Sequence, residues 1–221
     1  MDVVAPPVLV QAMVGALGEE EGAVRVALRR LRDAGLVGVF GRGRHTKDLP
    51  VDAMVRLLIG LCAATPLETD SPVKAVQRFE SLSGGLTHTE LSKNLRPKDI
   101  ALPLDALEET HRFGAALRKL LEAAGDGTLL AVNHKGQHKI FTEGYLRVAF
   151  FLPIPAARIE HAVGVWVRKT WSYGPTHIIG PQYLSAVRQN SLGGQSRVVE
   201  IDETALETLG WALAKNQYEL R

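Results

Sequence analysis

The spacing of hydrophobic residues predicts two helices at the start of the chain. Apolar residues fill the segment from Val8 to Leu17, which follows two prolines and stops at Gly18. Proline suits the first turn of a helix, and glycine suits the position after its last turn. A second helix is predicted over residues 19–34. Its apolar positions recur at helical spacing and form one stripe, made of Val24, Ala27, Leu28 and Leu31.

Further elements follow at intervals set by glycine and proline. A short strand is predicted at Leu36–Phe40, and a flexible basic loop at Gly41–Lys47. Two more helices are predicted over residues 50–64 and 71–82. The sequence Ser83-Gly84-Gly85 then indicates a boundary between two domains, residues 1–83 and residues 84–221.

The second half of the chain changes from a helical to a mixed pattern. It begins with a helix predicted over residues 103–124, and most of the remaining sequence alternates as strands do. In the strand predicted over residues 161–171, Val163, Val165 and Val167 fall on one face. The other predicted strands are 128–133, 145–152 and 197–201, before a closing helix over 203–215. The chain is therefore predicted to be α+β, with a mixed α/β-sheet domain at its C-terminus.

Composition places the protein in an ordinary globular class. Of the 221 residues, 46% are hydrophobic and 23% are charged, and the net charge is only +2. The single cysteine, Cys62, lies in an apolar run, which excludes an internal disulfide and a cysteine-based zinc cluster. The N-terminus lacks a signal-peptide pattern, and the sequence has no uninterrupted membrane-length apolar run. We expect a soluble, cytoplasmic protein without a membrane partner.

The small net charge hides a strongly basic segment. Between Gly22 and Lys47 seven basic residues face one acid, Asp33, which gives this segment a local charge of +6. Guanidinium groups on a helix can bind guanine O6 and N7 in the major groove or clamp phosphates. A glycine-arginine loop suits the narrower minor groove. The predicted DNA contacts are Arg25, Arg29, Arg30, Arg32, Arg42, Arg44, His45 and Lys47.

The order of these elements resembles winged helix-turn-helix transcriptional regulators. The similarity rests on residues 23–37, in which Leu31-Arg32 and Ala34-Gly35-Leu36 close the second helix. It covers about residues 8–65, and the loop after the helix is also similar to small regulators of phages and prophages. The resemblance implies a recognition helix at 19–34 in the major groove and a wing at 41–47 on the minor groove or the backbone. One departure is the acidic run Glu19–Glu21, where the family usually has Ser, Thr or Gln.

The sequence thus predicts a regulator, such as a repressor, that binds specific double-stranded DNA as a homodimer. The C-terminal half would supply dimerisation or a site for a small-molecule or protein effector. One alternative is a phage-type packaging or replication-initiation protein that uses the same winged helix. Another is a ligand-binding or enzymatic domain in residues 86–221. Because no catalytic motif is found, we expect no enzyme, no catalytic residues, no metal and no cofactor.

Two other groups of residues have competing interpretations. His134 and His138 have a spacing that suits zinc on a helix, but Gly136 between them predicts a hairpin. His111 is predicted to lie in a helix as a boundary residue. The aromatic run of Trp166, Trp171 and Tyr173 is typical of a core or dimer-interface strand, although such a strand can also stack single-stranded bases.

Overall fold

The computed structural model of the protein describes residues 3–38, 49–64, 71–91, 100–134, 137–140, 144–164, 167–175 and 197–219. Their architecture is α+β, as predicted. The N-terminal part is helical, and its helices are α1 (Pro6–Leu17), α2 (Glu21–Asp33), α3 (Val51–Cys62) and α4 (Ser71–Phe79). None of the helices in the described ranges is long and apolar enough to cross a membrane.

Glycines end α1 and α2 where the sequence places them. Gly18 takes a left-handed conformation, with φ of 66°, and its amide donates to the Val14 carbonyl. At the end of α2, Gly35 has φ of 72°, and the Leu36 amide donates to the Leu31 carbonyl at 2.9 Å. This is a Schellman arrangement, in which a left-handed glycine lets the chain satisfy the last carbonyls of the helix.

This helix end corrects the strand predicted at Leu36–Phe40. Residues 36–38 are not in a strand, because the amides of both Leu36 and Val37 are bonded back to Leu31 and cannot join a sheet. Residues 39–40 lie outside the described ranges, as does the predicted basic loop at 41–47. The chain returns as β2 (Leu49–Pro50), which pairs antiparallel with β1 (Val3–Val4) beside the start of α1.

Antiparallel strands dominate the second half of the chain. The largest sheet has the order β11-β8-β9-β10-β3-β5, and every neighbouring pair in it is antiparallel. Its strands are β3 (Ser83–Leu91), β5 (Thr110–Arg112), β8 (Gly144–Leu152), β9 (Ala156–Val163), β10 (Val167–Tyr173) and β11 (Arg197–Asp202). A smaller sheet contains β4 (Ile100–Ala101), β6 (Ala131–His134) and β7 (Gln137–Ile140).

Two helices, α5 (Phe113–Gly125) and α6 (Glu203–Glu219), help to join the sheet to the N-terminal helices. α6 packs against both α1 and α5, and α3 packs against α5. Buried side chains from α1 to α6 and from the large sheet form one contiguous hydrophobic core. The division into residues 1–83 and 84–221 stays a prediction, but the two segments share this core.

The helix predicted over residues 103–124 is wrong in its first half. A short 3₁₀ helix (Pro103–Ala106) is followed by β5, and the α-helix begins only at Phe113. Gly84 pairs with His111 and Gly85 with Thr110, so sheet pairing draws these residues out of the helical pattern. His111 therefore lies in a strand, and not in a helix as the sequence predicted.

The single strand predicted over residues 161–171 is also wrong, because the chain folds there into a hairpin. β9 ends at Val163, Gly164 takes a positive φ of 54°, and β10 begins at Val167. Val163 and Val167 then pair across the two strands instead of following one another along one strand. Residue 165 lies outside the described ranges.

Glycine at position 84 allows a close approach between strands and does not mark a flexible linker. Ser83-Gly84-Gly85 opens β3 between β10 and β5. A Cβ atom on Gly84 would overlap the carbonyl oxygen of Ser172 and lie 2.7 Å from the Cα of Tyr173. Any larger residue there would force the two strands apart.

Two buried polar side chains, His161 and Lys169, lie beneath the sheet, and a partly buried aspartate lies beside them. Lys169 on β10 pairs with Asp105, which also accepts a hydrogen bond from the Leu102 amide. His161 lies opposite Lys169 on β9, is fully buried, and has no hydrogen-bond partner on either ring nitrogen in the described part of the chain. The pKa of His161 is lowered to about 4, chiefly by burial; the Leu129 backbone opposes this shift, and the charge of Lys169 adds to it.

We expect His161 to make the protein less stable as the pH falls from about 6.5 towards 4. The unfolded chain takes up a proton on His161 near pH 6.5, whereas the folded chain keeps the imidazole neutral until about pH 4. Over this range the free energy of unfolding falls by about 3 kcal/mol. Urea unfolding at pH 7 and pH 4.5 gives the fall in the free energy of unfolding for the wild type and for His161→Leu. The part of this fall that the variant lacks is the contribution of His161. His88→Leu, at an exposed histidine, is the control, and an unchanged pH dependence in His161→Leu would contradict the assignment.

Gly84→Ala should lower the free energy of unfolding by about 1–3 kcal/mol, because the added methyl meets backbone atoms of β10. Gly22→Ala in α2 is the matched control, since a Cβ on Gly22 meets nothing within 4 Å. In a helix this exchange is neutral or stabilising by less than about 1 kcal/mol. Chemical denaturation compares the two variants, and equal stabilities would refute the close approach at Gly84.

Candidate nucleic-acid interface

Helix α2 has one buried side and one open side. The predicted stripe of Val24, Ala27, Leu28 and Leu31 is buried, and α2 packs through it against α1, α3 and α4. The hydrophobic stripe therefore fixes which side of the helix points into the core. The centre of the opposite side, at helical spacing, carries Gly22, Val26, Arg29 and Asp33, all of them exposed.

Arg25 and Arg29 are the most accessible predicted contacts on α2. Their side chains are 59% and 76% exposed. Arg25 binds Glu21 one turn earlier, with 2.6 Å between the charged atoms, and Arg29 lies 3.6 Å from Asp33. Exposed ion pairs of this kind contribute little stability, so both arginines can exchange their carboxylates for another acceptor at little cost.

Arg30 and Arg32 lie on opposite flanks of the same helix and are half-buried. Arg32 contacts the neighbouring Asp33 at 3.2 Å. Arg29 lies near the centre of the open side, whereas Arg25 lies towards the flank that carries Arg32. The four arginines of α2 are thus brought together on and around one surface.

The other four predicted contacts, Arg42, Arg44, His45 and Lys47, lie outside the residues that the structure describes. Their segment leaves the end of α2 and re-enters at β2. The pairing of β2 with β1 anchors that re-entry at the N-terminus of α1.

Gly22 and Val26 belong to this surface, although the sequence analysis did not select them. Val26 is 48% exposed, and so it is one of the large apolar side chains that the described part of the chain leaves open to solvent. The signal was available: Val26 is the large apolar residue of α2 that falls outside the buried stripe. Together with Gly22 it makes a low strip, a row of short side chains between the arginines. Another surface can approach the helix closely there.

The acidic run before α2 is only partly neutralised by its neighbours. Glu21 accepts hydrogen bonds from Arg25 and from Gln11 on α1. The hydrogen bond from Arg25 is the main reason why the pKa of the Glu21 carboxyl lies below its usual value. Glu19 and Glu20 are exposed in the turn.

The residues with competing interpretations lie elsewhere. The side chain of His111 bonds the Tyr173 hydroxyl and the Glu108 carbonyl. His134 and His138 fall on the hairpin strands β6 and β7, and no cluster of three metal-type ligands occurs among the residues that are described. Trp171 and Tyr173 are buried, which fits a core strand and leaves no open stacking platform; residue 166 is outside the described ranges.

Comparison with known proteins gives no relative to guide the assignment. No family model, no curated protein and no solved structure matches this chain.

Proposed function

We propose that this protein is a sequence-specific double-stranded DNA-binding transcriptional regulator that acts as a homodimer. The observation that carries the proposal is the open side of α2. It presents two exposed arginines beside a low strip of Gly22 and Val26, on a helix whose buried stripe holds it in a fixed orientation.

The connection between α1 and α2 supports a helix-turn-helix. Three residues, Gly18 to Glu20, separate the two helices, and the first of them is a left-handed glycine. DNA-binding helix-turn-helix motifs use a turn of about 3–4 residues that often contains glycine, and place the second helix in the major groove. The N-terminal half of that helix reads base edges, and in α2 this half contains Gly22, Arg25 and Val26.

The segment after α2 fits the role of a wing. It carries Arg42, Arg44, His45 and Lys47, and it runs between the end of the recognition helix and β2. A basic segment in that position would lie over the phosphates or the minor groove next to the site that α2 contacts.

A homodimer is the form that a specific binder of this size needs. One helix and one wing bury too little surface for tight and selective binding, and a two-fold dimer doubles the contacts. Trp211 on α6 is 72% exposed and lies outside the core. Because tryptophan is enriched in protein interfaces, this part of α6 is a suitable dimer contact.

Arg29→Ala and Arg42→Ala should each weaken DNA binding by about 5- to 100-fold, as expected for the loss of one arginine contact. The Arg42→Ala effect should be more uniform across sequences and should also lower the salt dependence. Gel-shift titrations at several salt concentrations measure both effects. Arg168→Ala is the control, since Arg168 pairs with Glu160 and Glu90 on the large sheet. If both variants bind as tightly as the control, α2 and the basic segment are not the DNA surface.

Val26 should contribute specificity through apolar contact with a thymine methyl group. Selection of bound duplexes from a random pool gives the preferred site, which should be two-fold symmetric. Replacing single thymines by deoxyuracil should then weaken binding at one position of each half-site. The Val26→Ala protein should lose that sensitivity and keep its affinity for the uracil site. Sensitivity that persists in Val26→Ala would assign the methyl contact to another residue.

A further inference from the structure

A cavity of about 360 Å³ lies between the N-terminal helices and the edge of the large sheet. One wall is formed by the ends of α1 and α3 and by the turn that precedes α2. The other is formed by β11, by Arg147 of β8 and by the first turn of α6. Small-molecule sites typically have about 300–1,000 Å³, so the cavity has room for a compact ligand.

Its lining combines an apolar floor with charged groups of both signs. The apolar residues are Ala16, Leu17, Leu61, Cys62, Val199, Ile201 and Ala205. Three of the five charged residues are already engaged. Arg147 pairs with Glu200 at 3.6 Å, and Asp202 accepts the Ala205 amide at the start of α6.

The two remaining charges stand on opposite walls. Glu19, in the turn before α2, and Arg197, on β11, have no ion pair with any residue that the structure describes. The Arg197 guanidinium donates only to the Ala64 carbonyl, at 3.3 Å. Both charges act on the Cys62 thiol, whose pKa is raised to about 12. Burial is the main cause of this shift, Glu19 adds to it, and Arg197 opposes it.

A second cavity of similar size offers no such arrangement. It lies between α3, α4 and α5, and its volume is about 370 Å³. There Arg56 pairs with Glu80 at 2.9 Å, and Arg118 pairs with Asp52 at 3.2 Å. Arg112, the other charged residue of this lining, has no ion pair among the described residues, so the cavity offers one unpaired cation and no acid opposite it. A ligand that carries both charges would find only one partner there.

We propose that the cavity at Glu19 and Arg197 binds a small zwitterion of the α-amino-acid class, and that this ligand regulates DNA binding. The carboxylate of the ligand would take the planar fork of Arg197, which matches carboxylates in two hydrogen bonds. Its ammonium group would pair with Glu19, and its side chain would cover the apolar floor. The regulatory part of this inference rests on the proposed function, whereas the binding part does not.

The position of Glu19 connects the ligand to α2. This residue lies in the three-residue turn that joins α1 to α2, and a bound zwitterion would tie that turn to β11. A ligand shifts an equilibrium only through its different affinity for two states. Fixing the turn changes how freely α2 can adjust to a groove, so the ligand should change the affinity for DNA. Because such coupling is reciprocal, DNA should change the affinity for the ligand by the same factor.

Thermal unfolding of the full chain with single L-α-amino acids tests the binding. At a concentration about ten times its Kd, the right amino acid should raise Tm by roughly 3 °C or more. The matching amine without its carboxylate and the matching acid without its ammonium should give no shift. If no amino acid raises Tm, or if either truncated analogue acts as well, the inference is overturned.

Glu19→Gln and Arg197→Gln should each abolish the Tm shift while keeping the Tm of the free protein within about 2 °C of wild type. Glu20→Gln is the matched control, because it removes a charge from the same turn outside the cavity lining. A shift that survives in Glu19→Gln or Arg197→Gln would overturn the assignment of the site.

Gel shifts with and without the bound amino acid test the regulation. DNA affinity should change by at least about 5-fold, within the usual range of allosteric coupling. An unchanged affinity would overturn the regulatory part. Absence of any DNA binding, with the Tm shift intact, would instead refute the proposed function and leave the ligand site standing.

Discussion

The fold depends on an aromatic cluster in which the helices meet the sheet. Phe113, at the start of α5, packs edge-on against Phe150 of β8 and also against Tyr173 of β10, with ring centres 5.4 Å and 5.1 Å apart. Phe79 of α4 contacts Phe150 from the N-terminal side at 5.7 Å. Such rings bury large areas and prefer tilted geometries, so the cluster fixes both the distance and the angle between the helices and the sheet. His111 extends it to the edge strand β5 by its bond to the Tyr173 hydroxyl.

Because the helical part and the sheet share this core, packing contacts connect the surface proposed for DNA to the sheet. α2 packs on α3 and α4, and α4 carries the Phe79 that reaches the sheet. α1 packs on α6, which follows directly from β11. The cavity at Glu19 lies where these two sets of packing contacts meet. A ligand there contacts the turn before α2 and the sheet edge at once, which a site within either part alone could not do.

The charges of the protein have different roles at the surface and in the core. On α2, the pairs of Arg25 and Arg29 are exposed, weak and exchangeable, as the proposed DNA-binding surface requires. Beneath the sheet, the buried Lys169 pairs with the partly buried Asp105, and removal of this carboxylate would leave the ammonium group isolated. His161 beside them stays neutral mainly because burial disfavours its charged form, and the charge of Lys169 adds to this effect.

The sequence by itself determined the features that depend on neighbours a few residues apart. The buried stripe of α2 and its glycine stop at Gly35 follow from helical spacing and from one left-handed residue, and so does the exposure of Arg25 and Arg29. The tertiary structure decided the features that depend on residues far apart. Pairing of Gly84 with His111 turned a predicted helix into β5, and packing brought Glu19 and Arg197 to one cavity. Sheet register and cavities arise from long-range packing, which periodicity along the chain does not encode.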